Sequence, residues 1–341
     1  MINNKLIENM KSFPKVDLHR HLEGSVRPET FIEASKKFGG KLPSFDLDEL
    51  RPLLQVDPGC CDFKNFLNKF NIYRDFYESS EAIQEVAYSA VKDAALDSVK
   101  YLELRFSPTH FAANKKFNET DVISWMKEAI ELASKDHNII VTPILTISRD
   151  FGLDMAEKTV NRVLQMQDRF FCGLDIAGNE TINSAKPFKD LFRMAKDAGM
   201  GLTVHAGEAG APANVKEAVM DFHADRIGHG IRSVEDEEVM DMLRDRDVML
   251  EVCITSNLHT GVVKSLNEHP LKKIRNSGVS FCLNTDDPGV SALCLSDEYC
   301  KAVTDFGFTI EDLNKMNLSA LDHSFYPDKD YLKENLSALW E

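Results

Sequence analysis

Two histidines, His19 and His21, lie one residue apart in the segment KVDLHRHLEG, and the chain of 341 residues has only ten histidines. The residues before them predict a strand, and side chains two positions apart in a strand point to the same face. Both imidazoles therefore enter one space, as two ligands of a metal ion would. At this histidine frequency a His-x-His pair occurs by chance in roughly one such chain in three, so the pair needs support from other segments.

Other groups capable of metal binding or acid–base chemistry follow later apolar runs. They are His205 and Glu208 in VHAGE, His229 in RIGHG, and Asp286 and Asp287 in LNTDDP. Taken singly, each has a commoner structural explanation, because lone histidines are usually hydrogen-bonded in the interior and Asp-Asp-Pro favours turns. All of them, however, stand at the ends of predicted strands. In a barrel of parallel strands those ends meet at one rim and form one site.

Three imidazoles and one carboxylate form a donor set that suits Zn²⁺, with Fe²⁺, Co²⁺ and Mn²⁺ as possible competitors. The predicted ligands are His19, His21, His205 and Asp286. A catalytic zinc ion keeps a position for water and lowers the pKa of that water to about 7. We predict that His229 orients this water or accepts its proton, that Glu208 is a general acid, and that Asp287 shares a proton with the substrate. Such a site performs metal-assisted hydrolysis.

The remaining histidines give weaker signals. Five of them fall in helix or loop patterns, where we expect positions at the surface or at helix ends: His110, His137, His223, His269 and His323. His259 follows the seventh predicted strand at the rim of the site, but we do not assign it a role there.

Eight short apolar runs rich in β-branched residues predict the strands that position these groups. They cover residues 15–19, 99–106, 138–147, 170–178, 201–207, 225–230, 247–253 and 279–285. Helical patterns separate most of these runs, so the strands should be parallel and joined by crossover helices. The chain has no glycine-rich nucleotide-binding fingerprint, which favours a closed (β/α)8 TIM barrel over an open sheet.

Roughly 80 residues separate the first two predicted strands, far more than the loops of about two to six residues that are usual in α/β units. We predict a helical insertion over about 28–95, which acts as a lid on one end of a single metal-dependent barrel domain spanning residues 1–341. Within it, FKNFLNKFNIYRDFY (63–77) has aromatic residues at helical spacing. Such a stripe belongs either to a core-facing helix or to a lid over an apolar ligand.

Composition excludes several classes of protein. The formal net charge of −15 would repel phosphate groups, so we expect no binding of nucleic acid. The seven cysteines lack the spacing of a disulfide framework and fit reduced thiols in a cytoplasm. The N-terminus lacks the pattern of a signal peptide, and the longest apolar stretch, 139–147, is too short to span a membrane. We therefore expect a cytoplasmic protein with a small-molecule substrate; the sequence does not indicate an oligomeric state.

Several segments resemble the adenosine deaminase family of the metal-dependent amidohydrolase superfamily. They are KVDLHRHLEGSVRPET, YLELRFSP, GLDIAGNE, VHAGE, RIGHG and LNTDDP, which occur in the order of the family between residue 15 and about residue 300. The resemblance implies a zinc-containing barrel that hydrolyses the exocyclic amine of a 6-aminopurine, such as adenosine or 2′-deoxyadenosine, and releases ammonia. It also implies the same four metal ligands.

The resemblance further implies roles around the purine. Glu208 would protonate the ring nitrogen beside the attacked carbon, and His229 would orient the hydroxide and stabilise its charge. Asp287 would hydrogen-bond the imidazole-ring side of the purine. Gly178 would offer its backbone N–H to another ring nitrogen, since only a glycine lets the base come so close.

At the sugar end, the likeness to the family is less uniform. The aromatic helix corresponds to the family's apolar lid near the ribose, so the expected substrate contacts are Phe66, Leu67 and Phe70. Glu23 stands where many adenosine-specific members have an aspartate that contacts the ribose 5′-hydroxyl, and HLEG is commoner among adenine and aminodeoxyfutalosine deaminases. Gly228, in contrast, favours a nucleoside, because adenine-specific relatives usually carry aspartate there.

Three alternatives remain open on sequence alone. The same chemistry could act on aminodeoxyfutalosine, methylthioadenosine or adenine. A two-metal barrel hydrolase of amides or esters commonly needs a bridging carboxylated lysine on the fourth strand, and FFCGLDIAG contains no lysine. A catalytically silent binding protein on the same scaffold would be expected to have lost the metal ligands or Glu208, and all of them are present.

Overall fold

The computed structural model describes residues 4–57, 62–113, 115 and 117–341, so the adjacent pair Cys60 and Cys61 lies outside the described residues. Eight parallel strands pair in chain order. The strands are β1 Lys15–His21, β2 Val99–Phe106, β3 Ile140–Ser148, β4 Gly173–Ala177, β5 Gly201–Ala206, β6 Arg226–His229, β7 Met249–Val252 and β8 Phe281–Leu283. All eight predicted strands are present, with ends displaced by no more than three residues.

Helices surround these strands. In chain order they are α1 Asn4–Ser12, α2 Pro28–Phe38, α3 Leu47–Leu54, α4 Phe63–Phe76, α5 Ser80–Leu96, α6 Pro108–Ala112, α7 Glu119–His137, α8 Leu153–Gln165, α9 Lys189–Asp197, α10 Pro212–Asp221, α11 Glu237–Asp245, α12 Ile254–His259, α13 Leu271–Ser277, α14 Pro288–Ser291, α15 Leu295–Phe306, α16 Ile310–Asp322 and α17 Lys329–Leu336. None of the helices in the described ranges is both long and apolar enough to cross a membrane.

The barrel closes between its first and last strands through one residue just beyond β8. The backbone of Asp286 forms a parallel bridge with Arg20 of β1. Its N–H donates to the carbonyl of His19 at 2.8 Å, and its carbonyl accepts the N–H of His21 at 2.8 Å. The predicted (β/α)8 barrel is confirmed, and the closure places Asp286 between the two histidines of the HRH segment.

The predicted helical insertion corresponds to α2–α5, which lie between β1 and β2. Some aromatic residues of the α4 stripe pack in the core and others face a cavity, so both expected roles are found. Tyr73 stacks on Phe31 of α2 with ring centroids 4.9 Å apart, and Tyr77 is fully buried against Phe111. The start of the helix faces a cavity instead, as described below. One end of the stripe is therefore core and the other covers a site.

The interior of the barrel contains a network of fully buried charged side chains. Arg105 lies between Asp175 and Glu251, at 3.2 Å and 2.7 Å respectively. Arg226 binds Glu251 at 2.6 Å and also pairs with Glu103. Removing one partner from a buried ion pair lowers the free energy of unfolding by about 3–5 kcal/mol. Each charged side chain of the network therefore needs its partners to remain stably buried.

Phe325 closes the opposite end of the barrel from the histidines. Its ring lies under the guanidinium of Arg226, whose central carbon is 3.6 Å from the ring centroid. Two strands begin with glycine at this point. A Cβ atom on Gly201 would lie 2.2 Å from the ring, and one on Gly173 would lie 2.5 Å from it. The strands therefore require glycine where the phenyl ring packs against their backbones.

We expect Gly201→Ala to lower the free energy of unfolding by about 1–3 kcal/mol, the usual cost of inserting a methyl group into a packed region. Urea denaturation measures the loss. In the double variant Gly201→Ala/Phe325→Leu the smaller side chain leaves room for the methyl group, so the two losses should not add. Strictly additive losses would contradict the contact between the ring and the strand.

Candidate active site

Four predicted metal ligands converge where β1, β5 and β8 end. Nε2 of His21 lies 3.2 Å from Nε2 of His205 and 3.4 Å from Oδ1 of Asp286. Nε2 of His19 lies 3.2 Å from the same carboxylate oxygen. Around a tetrahedral zinc ion with bonds of about 2.0–2.1 Å, ligand atoms are about 3.3–3.4 Å apart. Three of the six distances among these donor atoms therefore match the edges of a zinc coordination tetrahedron.

His229 belongs to the same cluster of rings. Ligand atoms of His19, His205, His229 and Asp286 all lie within 4.8 Å of one another. Nε2 of His229 lies 3.9 Å from Oδ2 of Asp286 and 3.8 Å from Oε2 of Glu208. Distance alone therefore allows His229 either to bind a metal or to contact a group held beside it.

Buried carboxylates orient two of the imidazoles. Nδ1 of His19 lies 2.7 Å from Glu251, and Nδ1 of His205 lies 2.9 Å from Asp175. Each ring thus donates its Nδ1 proton away from the cluster and turns a lone pair on Nε2 towards it, which is how metal-binding histidines are usually held. Since Arg105 binds both carboxylates, one side chain fixes the partners of two ligands.

The electrostatics of the cluster favour a cation. The ion-pair network of the barrel interior and the adjoining Asp286 together contain two guanidinium groups, of Arg105 and Arg226, and four carboxylates, of Glu103, Asp175, Glu251 and Asp286. If all are ionised, they leave an excess of two negative charges, which one divalent ion balances. Burial lowers the pKa of His21 and of His205, so both rings are neutral and have a free lone pair. The donor set and the charge both fit Zn²⁺.

Two residues of the cluster have unusual backbone conformations. His229 has φ of 60° and Asp286 has φ of 61°, in the left-handed region that side chains other than glycine seldom adopt. Each such conformation destabilises the folded protein by about 1–3 kcal/mol, and residues that adopt it are concentrated at functional sites. Neither conformation follows from the local sequence, and both place polar side chains in the cluster.

Glu208 lies on the loop after β5, and Glu180 holds that loop. The carboxylate of Glu180 accepts the backbone N–H groups of four consecutive residues, 207–210, at 2.7–3.0 Å. Burial raises the pKa of Glu208 well above its usual range, and the carboxylates of Asp286 and Glu180 raise it further. These surroundings favour the protonated form of the carboxyl group, which is the form that a general acid needs.

The segment 254–260, which contains α12, supports three residues of the site at once. Its contacts are Ser256 Oγ to Asp286 at 2.6 Å, Asn257 Nδ2 to His229 at 3.1 Å, and Thr260 Oγ1 to Glu208 at 3.2 Å. The hydrogen bond from Ser256 occupies Oδ2 of the aspartate and leaves Oδ1 to face the histidines. The amino-acid sequence alone does not indicate a role for this segment.

A cavity opens from the cluster towards α4. The predicted substrate contacts all line it: Glu23, Gly178, Asp287, Phe66, Leu67 and Phe70. Oε1 of Glu23 accepts the backbone N–H of Ser107 at 2.6 Å. Its Oε2 is buried and has no hydrogen-bond partner among the described residues, and burial raises the pKa of Glu23 to about 7. An unpaired oxygen of this kind is available to a ligand.

Two glycines make room for acidic side chains at the cavity. A Cβ atom on Gly24 would lie 1.9 Å from Oδ1 of Asp287. Gly178 has φ of 103°, and a Cβ atom there would lie 2.6 Å from Oδ2 of Asp150. The need for glycine at 178 therefore has a structural cause, in addition to the close approach of a ligand that the sequence suggested.

Comparison with known proteins identifies the family. The family model described as adenosine deaminase matches residues 14–337. An adenosine deaminase of Vibrio parahaemolyticus is 35% identical over 328 residues, which are 96% of this chain and 98% of the relative. The chain belongs to the adenosine deaminase family. It is therefore a hydrolase that acts on carbon–nitrogen bonds.

Solved structures of deaminases share the barrel. The adenine deaminase of Arthrobacter aurescens superimposes with a TM-score of 0.88 at 25% identity, over 96% of this chain and 98% of that protein. The N6-methyl-AMP deaminase of Arabidopsis thaliana has a TM-score of 0.84 at 26% identity, over 98% of each chain. The adenosine deaminase fold thus accommodates purines with different groups at the sugar end.

The structure changes how one difference within the adenosine deaminase family is interpreted. A Cβ atom on Gly228 would lie 3.1 Å from Cε1 of His19 and 3.2 Å from Cα of His205. Of the described residues, those that line the cavity do not include Gly228. The residue at this position therefore packs against the candidate ligands and is not among the described residues that line the cavity.

Two other histidines differ from expectation. His110 is not at the surface, since it is 5% exposed and lines the cavity, where its Nδ1 accepts Nε–H of Arg74 at 3.3 Å. His269 does cap the start of α13, as its pattern suggested, but it is 4% exposed and contacts Asn257. Sequence periodicity did not indicate either burial, because both residues lie in short segments between longer elements.

Proposed function

We propose that this chain hydrolyses adenosine and 2′-deoxyadenosine to inosine and 2′-deoxyinosine, with release of ammonia. The observation that carries the proposal is the position of Glu208, a buried carboxyl group 3.8 Å from Nε2 of His229 and beside the histidine cluster. A metal site alone would serve many hydrolyses. Displacement of an amine from a purine also needs an acid that can protonate the ring, and membership of the adenosine deaminase family supports that use.

In this proposal His19, His21, His205 and Asp286 hold one Zn²⁺ ion. Three donor separations of 3.2–3.4 Å support the assignment, and so does Nε2 of His19, which is buried without a hydrogen-bond partner among the described residues. When bound, the ion lowers the pKa of a water molecule and supplies a nucleophile at neutral pH. Other divalent metals accept the same donors, at affinities that follow the usual order.

The side chains around the cavity then donate protons to the purine and orient the purine and the attacking oxygen. Glu208 donates its proton to the ring nitrogen beside the attacked carbon, so the ring accepts the electron pair as the oxygen adds. His229 hydrogen-bonds the attacking oxygen. Burial raises the pKa of Asp287 well above its usual range, and Asp286 raises it further. A protonated Asp287 donates to a nitrogen of the imidazole ring of the purine, and Gly178 offers its backbone N–H to the pyrimidine ring.

The far end of the cavity receives the sugar. The unpaired oxygen of Glu23 is the proposed partner of a ribose hydroxyl, and the lid residues Phe66, Leu67 and Phe70 cover the apolar side. Free adenine would leave the buried group of Glu23 without a partner, which costs about 1–3 kcal/mol. We therefore expect nucleosides to be better substrates than the free base.

One observation favours a second candidate, a 6-aminopurine nucleoside with an anionic 5′ substituent. Arg74 of α4 lines the same cavity, and two of its hydrogen bonds go to neutral groups, Asn71 and His110, both at 3.3 Å. A guanidinium group in this position could bind a phosphate or carboxylate. The N6-methyl-AMP deaminase of Arabidopsis shows that a relative can act on a nucleotide.

A substrate panel tests both candidates. It comprises adenosine, 2′-deoxyadenosine, methylthioadenosine, adenine, AMP and aminodeoxyfutalosine, each followed by absorbance loss and ammonia release with zinc-loaded protein. We expect kcat/KM for adenosine to exceed that for adenine by at least about fivefold, because free adenine leaves the buried carboxyl group of Glu23 without a partner. Preference for AMP or aminodeoxyfutalosine would select the second candidate. Absence of turnover with every compound would exclude purine deamination.

The thiols support the proposed compartment. All the cysteines that the structure describes are free: Cys172, Cys253, Cys282, Cys294 and Cys300. Free thiols are typical of a reducing compartment, so we propose that the enzyme is cytoplasmic.

A further inference from the structure

Behind His229, a chain of hydrogen bonds leads away from the cavity. Nδ1 of His229 lies 3.1 Å from Nδ2 of Asn257, and Oδ1 of that amide lies 3.2 Å from Nε2 of His269. Nδ1 of His269 accepts the backbone N–H of Leu271 at 3.2 Å. His229, Asn257 and His269 are buried, with exposures of 1%, 0% and 4%, so water does not compete for these bonds.

A backbone N–H group determines which nitrogen of His269 donates and which accepts in this series of hydrogen bonds. A backbone N–H can only donate, so Nδ1 of His269 carries no proton. Burial also lowers the pKa of His269 to about 4, which keeps the ring neutral near pH 7. Its single proton is therefore on Nε2, and that N–H donates to Asn257.

The donor at His269 in turn fixes the orientation of the side-chain amide of Asn257. Because Nε2 of His269 donates, the atom of Asn257 that faces it is the oxygen, and the NH2 group faces His229. The reverse orientation would place two donors against each other at His269. Nδ1 of His229 consequently accepts a hydrogen bond, and in the neutral ring the proton is on Nε2.

We propose that Asn257 and His269 are positioning residues that hold His229 as its Nε2–H tautomer. Nε2 is the nitrogen that faces Glu208 at 3.8 Å and Asp286 at 3.9 Å. In this tautomer His229 donates a hydrogen bond to the attacking oxygen and does not accept its proton. The catalytic part of the inference rests on the proposed function, whereas the tautomer itself does not.

The tautomer of each ring also determines whether its Nε2 can bind a metal ion. A ligand nitrogen must present a lone pair, and Nε2–H of His229 does not. In contrast, the Nδ1 protons of His19 and His205 point to carboxylates, at 2.7 Å and 2.9 Å, and leave Nε2 free. The hydrogen-bond partners on the far side of these three rings thus separate two proposed ligands, His19 and His205, from the donor His229, although all three rings lie in one cluster.

Nitrogen NMR of zinc-loaded protein labelled at the imidazole nitrogens tests the tautomer without any substrate. The resonances of His229 are those absent from the spectrum of His229→Gln. We expect Nδ1 in the range of an unprotonated nitrogen and Nε2 in the range of a protonated one. A protonated Nδ1, or an Nε2 shifted by bound zinc, would overturn the proposal whatever the enzyme does.

A matched pair of variants at one position tests the chain of hydrogen bonds. In His269→Gln, the oxygen can accept the N–H of Leu271 while the NH2 group donates to Asn257, so polarity is kept. In His269→Glu, both oxygens accept, so Asn257 must reverse and present its oxygen to His229. We expect the glutamine variant to retain kcat. The glutamate variant should lower kcat by about 10²-fold, as when one donor to a developing negative charge is lost.

Three further readouts distinguish positioning from a general structural effect. In His269→Glu, KM and zinc content should stay near the wild-type values, and Nδ1 of His229 should move to the protonated range. A folded glutamate variant with an unchanged tautomer, or a reversed tautomer with wild-type kcat, would contradict the proposal. If this variant does not fold, the wild-type spectrum still decides. Absence of deaminase activity in the wild type would refute the proposed function and leave the tautomer assignment intact.

Discussion

Replacing Glu208 with glutamine should lower kcat by about 10³-fold, within the range of about 10²–10⁴ for loss of a general acid. The amide has the same shape and can still accept the hydrogen bond that Thr260 donates at 3.2 Å, but it has no acidic proton for the purine ring. Because the proton is needed in the transition state, KM should change little. Steady-state kinetics with the best substrate of the panel measures the effect, and metal analysis should show wild-type zinc content.

Glu23→Gln is the matched control for this experiment. It makes the same chemical change in the same cavity, at a group that we assign to binding of the sugar. We therefore expect its main effect on KM, with kcat within about tenfold of wild type, since a hydrogen bond present in both ground and transition states changes binding and not the chemical step. A Glu208→Gln enzyme with near-normal kcat would remove Glu208 from the role of acid.

The strands were predictable because parallel barrel strands are buried on both faces and appear as short apolar runs. For the same reason the ends of the strands indicated which side chains come together in the candidate site. His19, His21, His205 and His229 follow such runs. The prediction needed only the rule that strand ends share a rim, together with side chains whose chemistry a packed core would not use.

The supporting residues were not predictable, because their contacts join distant parts of the chain. Glu180 holds the loop at 207–210 from a different βα unit, and Glu251 of β7 orients His19 of β1. Glu180 has no local pattern that separates it from an ordinary acidic residue. One signal was present in hindsight: Glu251 is a charged residue in the middle of an apolar strand, where a charge without a partner would be costly.

The backbone geometry of the site was also not predictable from the sequence. The sequence predicted Asp286 as a ligand, but it did not show that its backbone closes the barrel between His19 and His21 or that its φ is positive. Closure is a property of all eight strands together. The same limit applies to Asn257, whose place in the ITSN segment became informative only once the structure set it against His229.

Asp286→Asn should lower the affinity for zinc by at least about 100-fold, since loss even of an outer hydrogen-bond partner of a ligand costs about 10–100-fold. Asparagine tolerates the left-handed φ of 61° and keeps the two backbone hydrogen bonds with β1, so the barrel should still close. What changes is the charge at Oδ1, the atom that lies 3.2 Å from His19 and 3.4 Å from His21. Competition with a chelator measures the affinity, and turnover should follow the zinc content.

The neighbouring acid provides the control, because Asp287→Asn makes the same change one residue away. Asp287 lines the cavity and lies outside the proposed ligand set, so its variant should keep the wild-type affinity for zinc. It should nevertheless lose about tenfold or more in kcat/KM, since the hydrogen bond to the purine is altered at a buried position. Equal loss of zinc from both variants would show that the charge of the pair, and not the carboxylate of Asp286, holds the metal. Retention of zinc by Asp286→Asn would remove this residue from the ligand set and leave the three histidines to bind the ion.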